Sequence, residues 1–196
     1  KSICSDYFME APIHSENGEV SSQSIKVLNT LIKNASKLNV SDIVIPCVDK
    51  SSFQNDIQIN RFVKKIKNSI KIADNNDINL ALETDLSPKK FKNLLENIKN
   101  KRVTVNYDIG NSASLGYKVE NEFSAYGEKI TDIHIKDRLL NGESVFLGEG
   151  DADFDDFFSQ LSKQNFDGLI IFQAFRDNDG VEIFKKQYNW IKKKYL

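Results

Sequence analysis

The feature that most narrows what this chain can fold into is an alternation. A short apolar run is followed by a segment of helical period, and the pattern recurs along the whole sequence. The runs are "SICSDYFM" (2–9), "DIVIPCV" (42–48), "INLALETD" (78–85), "RVTVNYDIGN" (102–111), "ITDIHIKD" (130–137) and "GLIIFQAF" (168–175). They are rich in Val and Ile, which suit strands buried on both faces. Between them, Ser22 is placed to cap a helix reaching Leu38, with Ile25, Leu28, Leu31, Ile32 and Ala35 on one face. A second helix from Ile57 to Asn75 carries Phe62, Ile66, Ile70 and Ala73 at helical spacing. Ser87 and Pro88 give a cap and a first-turn proline. Weak helix signals reach Gly127, "DFDDFFSQLSKQ" starts near Asp153, and a last helix spans Val181 to Lys194. On that last helix Trp190 is expected to pack it onto the body of the fold, the barrel argued for below.

Strand–helix alternation of this kind implies parallel strands joined by crossover helices, the α/β class. Two architectures compete. A doubly wound open sheet normally follows its first strand with a glycine-rich phosphate loop, and "GEG" (148–150) is too short and wrongly spaced for one. A (β/α)8 barrel instead collects its active residues at the C-terminal ends of several strands. Polar residues stand there in this chain: Asp6, Glu83, Asp108, His134 and Gln173. The expectation is therefore a single TIM-barrel domain over 1–196. Six units are countable where the barrel needs eight, and the chain opens directly in a strand without a methionine. That leads us to expect two further βα units ahead of Lys1.

Bulk properties remove several function classes. The 27 basic and 28 acidic residues give a net charge of −1, with no basic excess for nucleic acid or an anionic membrane. No window approaches the roughly 18 apolar residues of a membrane span. Cys4 and Cys47 both lie in apolar runs and read as buried, reduced thiols, in keeping with a cytoplasmic setting.

Each polar strand end has a plain structural reading beside a chemical one. Glu83 in "LALETD" reads equally as a strand-end ion pair. Asp108 in "NYDIGN" can bond turn amides, with Gly110 relaxing the backbone and Asn111 adding an amide. His134 in "DIHIKD", one of two histidines, would by itself more often be a satisfied core residue. Together, two carboxylates and an imidazole on three successive strand ends suit a divalent cation, whether Mn, Mg, Co or Zn.

The motifs "LALETD", "YDIGN", "IHIKD", "FLGEGDADFDDFF" and "FDGLIIFQAF" resemble, in order and spacing, the sugar phosphate isomerase/epimerase family of xylose-isomerase-like TIM barrels. The resemblance is strongest to the pentulose- and hexulose-phosphate epimerases and isomerases. It implies one metal ion bound by a glutamate, an aspartate, a histidine and a second glutamate. The first three correspond to Glu83, Asp108 and His134; the fourth falls on Gln173. In that family the two glutamates exchange protons with a substrate carbon through an enediolate. Gln173 can still offer a metal an oxygen, but an amide does not titrate near neutrality and cannot act as a base. Losing one base typically costs a factor of about 10² to 10⁴.

Three readings follow: a ketose or ketose-phosphate isomerase or epimerase with impaired or altered proton transfer, a dehydratase or lyase using Glu83 alone, and a degenerate sugar-binding relative. Gln173→Glu is expected to raise metal affinity and epimerase activity. Asn111, Lys136, Arg138 and Arg176 are candidates for holding substrate hydroxyls or a phosphate, and His14 for lining the pocket. A three-zinc DNA-repair site on the same fold would need more histidines and a basic groove. Self-association into a homo-oligomer stays open.

Overall fold

The computed structural model describes residues 1–176 and 178–195. Six strands make one sheet: β1 (Ser2–Cys4), β2 (Asp42–Cys47), β3 (Asn79–Thr84), β4 (Val103–Asp108), β5 (Ile130–Ile135) and β8 (Leu169–Phe172). Their order in the sheet is their order in the chain. The β1–β2, β2–β3 and β3–β4 pairs are parallel. A doubly wound sheet reverses its strand order partway, leaving a crevice at the switch point; this sheet has no reversal. Stepwise addition of parallel strands is the order a barrel requires.

By contact density the chain divides into two compact units, residues 1–106 with 129–132, and residues 107–128 with 133 onward. In the first, β2 is buried along its whole length, and β3 buries Leu80, Ala81 and Leu82. The helices α2 (Gly18–Ala35), α3 (Asp56–Asn75) and α4 (Pro88–Ile98) bury Leu28 and Ile32, Phe62 and Ile66, and Phe91 and Leu94. Full burial of each such side chain contributes about 1.5–3 kcal/mol. A short helix α1 (Tyr7–Glu10) lies between β1 and α2. At the foot of the sheet Asp42 accepts hydrogen bonds from Asn79 and Thr131, and midway along the strands Asn106 donates to the buried Asp132.

The second unit holds α5 (Ile109–Ser114), α6 (Val119–Tyr126), α7 (Phe154–Gln164), α8 (Gly180–Tyr195) and an antiparallel pair, β6 (Asp137–Arg138) with β7 (Ser144–Val145). Tyr107 stacks on Phe157 at 5.9 Å, and Phe154 meets Trp190 edge-on at 5.5 Å. Trp190 thus ties α8 to α7 and to the loop at Gly148. Its ring leaves no room for a Cβ on Gly148, whose φ of +90° also favours glycine.

Several local expectations need correction. The first apolar run is a strand only to Cys4; Asp6 onward turns into α1, and Cys4 is exposed rather than buried, while Cys47 is buried. Asn17, not Ser22, caps α2, its side chain accepting from the Glu19 and Val20 amides, so the helix begins at Gly18, closer to the chain start than expected. The β6–β7 pair was not anticipated. Helix exits at Asn39, Lys99 and Asn165 sit in the left-handed region with φ of 53°, 50° and 51°. No helix among the described residues is long and apolar enough to cross a membrane.

Candidate metal centre

β3, β4 and β5 run largely buried, with Asn106 and Asp132 paired on the way, before presenting Glu83, Asp108 and His134 near their C-terminal ends. Glu83, Asp108 and His134 are thereby buried, at 6%, 5% and 2% exposure. Each offers a ligand atom, and these atoms lie within 4.8 Å of one another. Two carboxylates cannot be buried cheaply without positive charge to share. Two oxygen donors with one imidazole nitrogen are a donor set that divalent Mn, Co, Zn or Mg accepts. The residues present therefore fit a divalent ion.

Asp108 is placed by more than its strand. It caps α5, its Oδ1 accepting from the Asn111 amide at 2.8 Å. This fulfils the plain turn reading, and Oδ2 remains available for further chemistry. That second oxygen lies 3.9 Å from His134 Nδ1 and accepts a hydrogen bond from Lys136 Nζ at 3.2 Å. Lys136 also donates to Asn111 Oδ1 at 3.3 Å and to Gln173 Oε1 at 3.1 Å. Gln173 is held in the sheet by its own amide, which donates to the Ile135 carbonyl at 3.0 Å.

Arg138 Nη1 donates to Asn111 Oδ1 at 2.9 Å, while Nε and Nη2 donate to the Gly142 carbonyl. Asn111, Lys136, Arg138, Asp108 and Gln173 therefore form one connected polar group. Arg176 is exposed and lines a cavity of about 380 Å³ with Phe172, Gln173, Phe175, Phe184 and Gln187. His14 is set among aromatic rings, 4.5 Å from Phe53 and 6.4 Å from Phe62, with Arg61 donating to its carbonyl at 2.8 Å. Burial and then the Arg61 charge lower its pKa to about 4, so it is neutral at physiological pH.

Two residues of consequence escaped sequence reading. Asp137 is fully buried, and its carboxylate accepts from the amides of Gly148, Gly150 and Ala152 at 2.8, 3.0 and 3.1 Å. It anchors the "GEGDA" loop directly after Lys136. The only sequence signal was an aspartate ending a buried strand ahead of a glycine-rich turn. Glu122, at 3% exposure, accepts from the hydroxyls of Tyr107 (2.9 Å), Tyr126 (2.7 Å) and Ser112. Burial pushes its carboxyl up, against the pull of those three donors.

Comparison with known proteins gives a consistent picture. The family described as the xylose isomerase-like TIM barrel matches residues 2–194. A Haemophilus influenzae protein named for L-ribulose-5-phosphate 3-epimerase, SgbU, is 25% identical over 191 residues, covering 91% of this chain and 67% of its own length. The chain thus spans about two thirds of that relative. Among solved structures, the 3-keto-D-glucoside 4-epimerase YcjR of E. coli superposes with a TM-score of 0.81 at 14% identity, over 98% of this chain and 78% of that one. The IolI protein, solved with a zinc atom, superposes with a TM-score of 0.77 at 18% identity, over 94% and 74%.

Proposed function

Because the chain belongs to the xylose isomerase-like TIM barrel family over residues 2–194, we propose that it is a divalent-metal-dependent isomerase or epimerase of a ketose or ketose phosphate. The observation that carries this reading is the buried Glu83, Asp108 and His134 set, with ligand atoms within 4.8 Å. The names of its relatives, sugar epimerases, supply the substrate class.

Glu83, Asp108 and His134 would hold the ion, with Gln173 Oε1 as a further neutral oxygen. When bound, such an ion draws electron density from a substrate carbonyl and its neighbouring hydroxyl, which makes the C–H between them acidic. Glu83 takes that proton as general base. Gln173 has no proton to exchange near neutral pH. The proton therefore returns from Glu83, and transfer between adjacent carbons on one face is the chemistry a single base performs best. Inversion at one carbon would need a donor on the opposite face.

Arg138 is the better anion ligand of the two strand-end cations. Its described partners are a carbonyl and an amide oxygen, whereas Lys136 is already paired with the Asp108 carboxylate. A substrate phosphate would draw on that guanidinium, with Arg176 as a second, exposed cation. Asn111 and neutral His14 are assigned to hydroxyl groups of the sugar.

The test is metal analysis combined with a panel of ketoses and ketose phosphates incubated in D₂O. About one divalent ion per chain and deuterium uptake next to the carbonyl are expected. Uptake lost in Glu83→Gln while the variant still binds the ion identifies the base. Bound metal with no uptake from any sugar would favour the second reading, a sugar-binding relative without turnover, for which the amide at position 173 is the supporting observation.

A further inference from the structure

The ammonium of Lys136 has three N–H donors, and the structure supplies three oxygens for them: Asp108 Oδ2 at 3.2 Å, Asn111 Oδ1 at 3.3 Å and Gln173 Oε1 at 3.1 Å. Its side chain is 18% exposed, so the charge is largely withdrawn from water. The lysine stem also passes so close to Gly110 that a Cβ there would meet Lys136 Cγ at 2.8 Å and the Lys136 carbonyl carbon at 3.0 Å. Glycine at this point is what lets the stem run where it does. The lysine is thus built into the group rather than resting on its surface.

Two of its three acceptors are the side chains through which this unit would contribute oxygen to an ion. Since Asp108 Oδ1 is engaged by the Asn111 amide, Oδ2 is the oxygen left for a metal. That oxygen already has a cation. Replacing a carboxylate by Gln173 removes one negative charge; keeping an ammonium on Asp108 offsets another. A divalent ion must therefore enter a site of small net charge and displace, or share with, a resident positive group.

We propose that Lys136 is a positioning residue that holds Asp108 and Gln173 on one ammonium and competes with the divalent ion for Asp108 Oδ2, giving the centre a weakly held, exchangeable metal. Gln173 is kept in place by this lysine whether or not an ion is present. The inference rests on the metal reading above and changes one expectation drawn from sequence. A carboxylate introduced at position 173 meets the ammonium first, so Gln173→Glu by itself gains little.

The experiment is Mn²⁺ titration of the purified chain by calorimetry, for the wild type and for Lys136→Met, Lys136→Arg, Gln173→Glu and Lys136→Met/Gln173→Glu. Lys136→Met should tighten Mn²⁺ binding by about tenfold or more, because a neighbouring like charge is gone. Lys136→Arg, which keeps the charge, should stay within about threefold of wild type. A role confined to packing would leave Lys136→Met binding no tighter than Lys136→Arg. Gln173→Glu should tighten binding more in the Lys136→Met background than in wild type. Apo Lys136→Met should melt lower and recover on adding Mn²⁺, which distinguishes a folded variant from a collapsed one.

Wild-type binding with Lys136→Met no tighter overturns the competition and leaves the metal reading standing. Equal gains from Gln173→Glu in both backgrounds overturn the Lys136–Gln173 pairing. No binding in any of these proteins at millimolar Mn²⁺ overturns the metal reading and the competition with it.

Discussion

Asp137→Asn exchanges one carboxylate oxygen for an NH₂ and leaves the side-chain shape almost unchanged. The wild-type carboxylate takes two amides on Oδ2, from Gly148 and Gly150, and one on Oδ1, from Ala152. If the asparagine oxygen replaces Oδ2, two bonds survive and the new NH₂ faces the Ala152 N–H, donor against donor. The opposite flip is worse, setting NH₂ against two amides. Hydrogen bonds to a charged acceptor contribute about 1.5–3 kcal/mol each, and a stranded buried donor costs about 1–3 kcal/mol. With one bond lost and the others made neutral, the variant should lose about 3 kcal/mol. Urea unfolding measures that loss, and amide exchange locates it. Gly148, Gly150 and Ala152 should exchange faster than in wild type while β2 amides exchange as before. Stability within about 0.5 kcal/mol of wild type, with those three amides still protected, would refute the claim that this carboxylate clamps the loop.

Two other outcomes follow from buried polar groups. His14 has its pKa lowered to about 4 by burial and Arg61, itself paired with Glu16, so between its ordinary value and about 4 the unfolded chain binds the proton and the folded chain does not. Stability contributed by this group is present above pH 6.5 and is lost as pH falls toward 4, by at most about 3 kcal/mol; His14→Phe should flatten that part of the stability–pH curve. Glu122→Ala leaves the hydroxyls of Tyr107, Tyr126 and Ser112 without their shared acceptor and should cost about 3–5 kcal/mol in thermal or chemical unfolding, with Glu122→Gln costing less.

What sequence could foresee here followed from periodicity. Runs such as "DIVIPCV" and "NLAL" are apolar because both faces of the strand are covered, so their position and their parallel pairing were readable. So were the strand-end carboxylates and His134, since a polar residue that closes such a run stands out. Tyr7–Glu10 was misread because "DYFME" is as apolar as the strand before it, and only the three-dimensional path ends pairing at Cys4. Ser22 and Asn17 are both competent caps; the choice depends on where α2 meets the sheet, which no local pattern encodes. Long-range side-chain contacts left still less trace. Nothing in "IHIKD" announces that Lys136 will gather three oxygens or Asp137 three amides, because those partners lie from 11 to 37 residues away in the chain.

The left-handed helix exits carry a practical consequence. Lys99 and Asn165 adopt with a full side chain a backbone geometry that glycine adopts without steric penalty. Glycine at either position should raise the melting temperature, with a gain of up to about 1 kcal/mol each. Neither residue belongs to the polar group around Asp108, so the two changes offer ballast for variants that would otherwise be too fragile to purify.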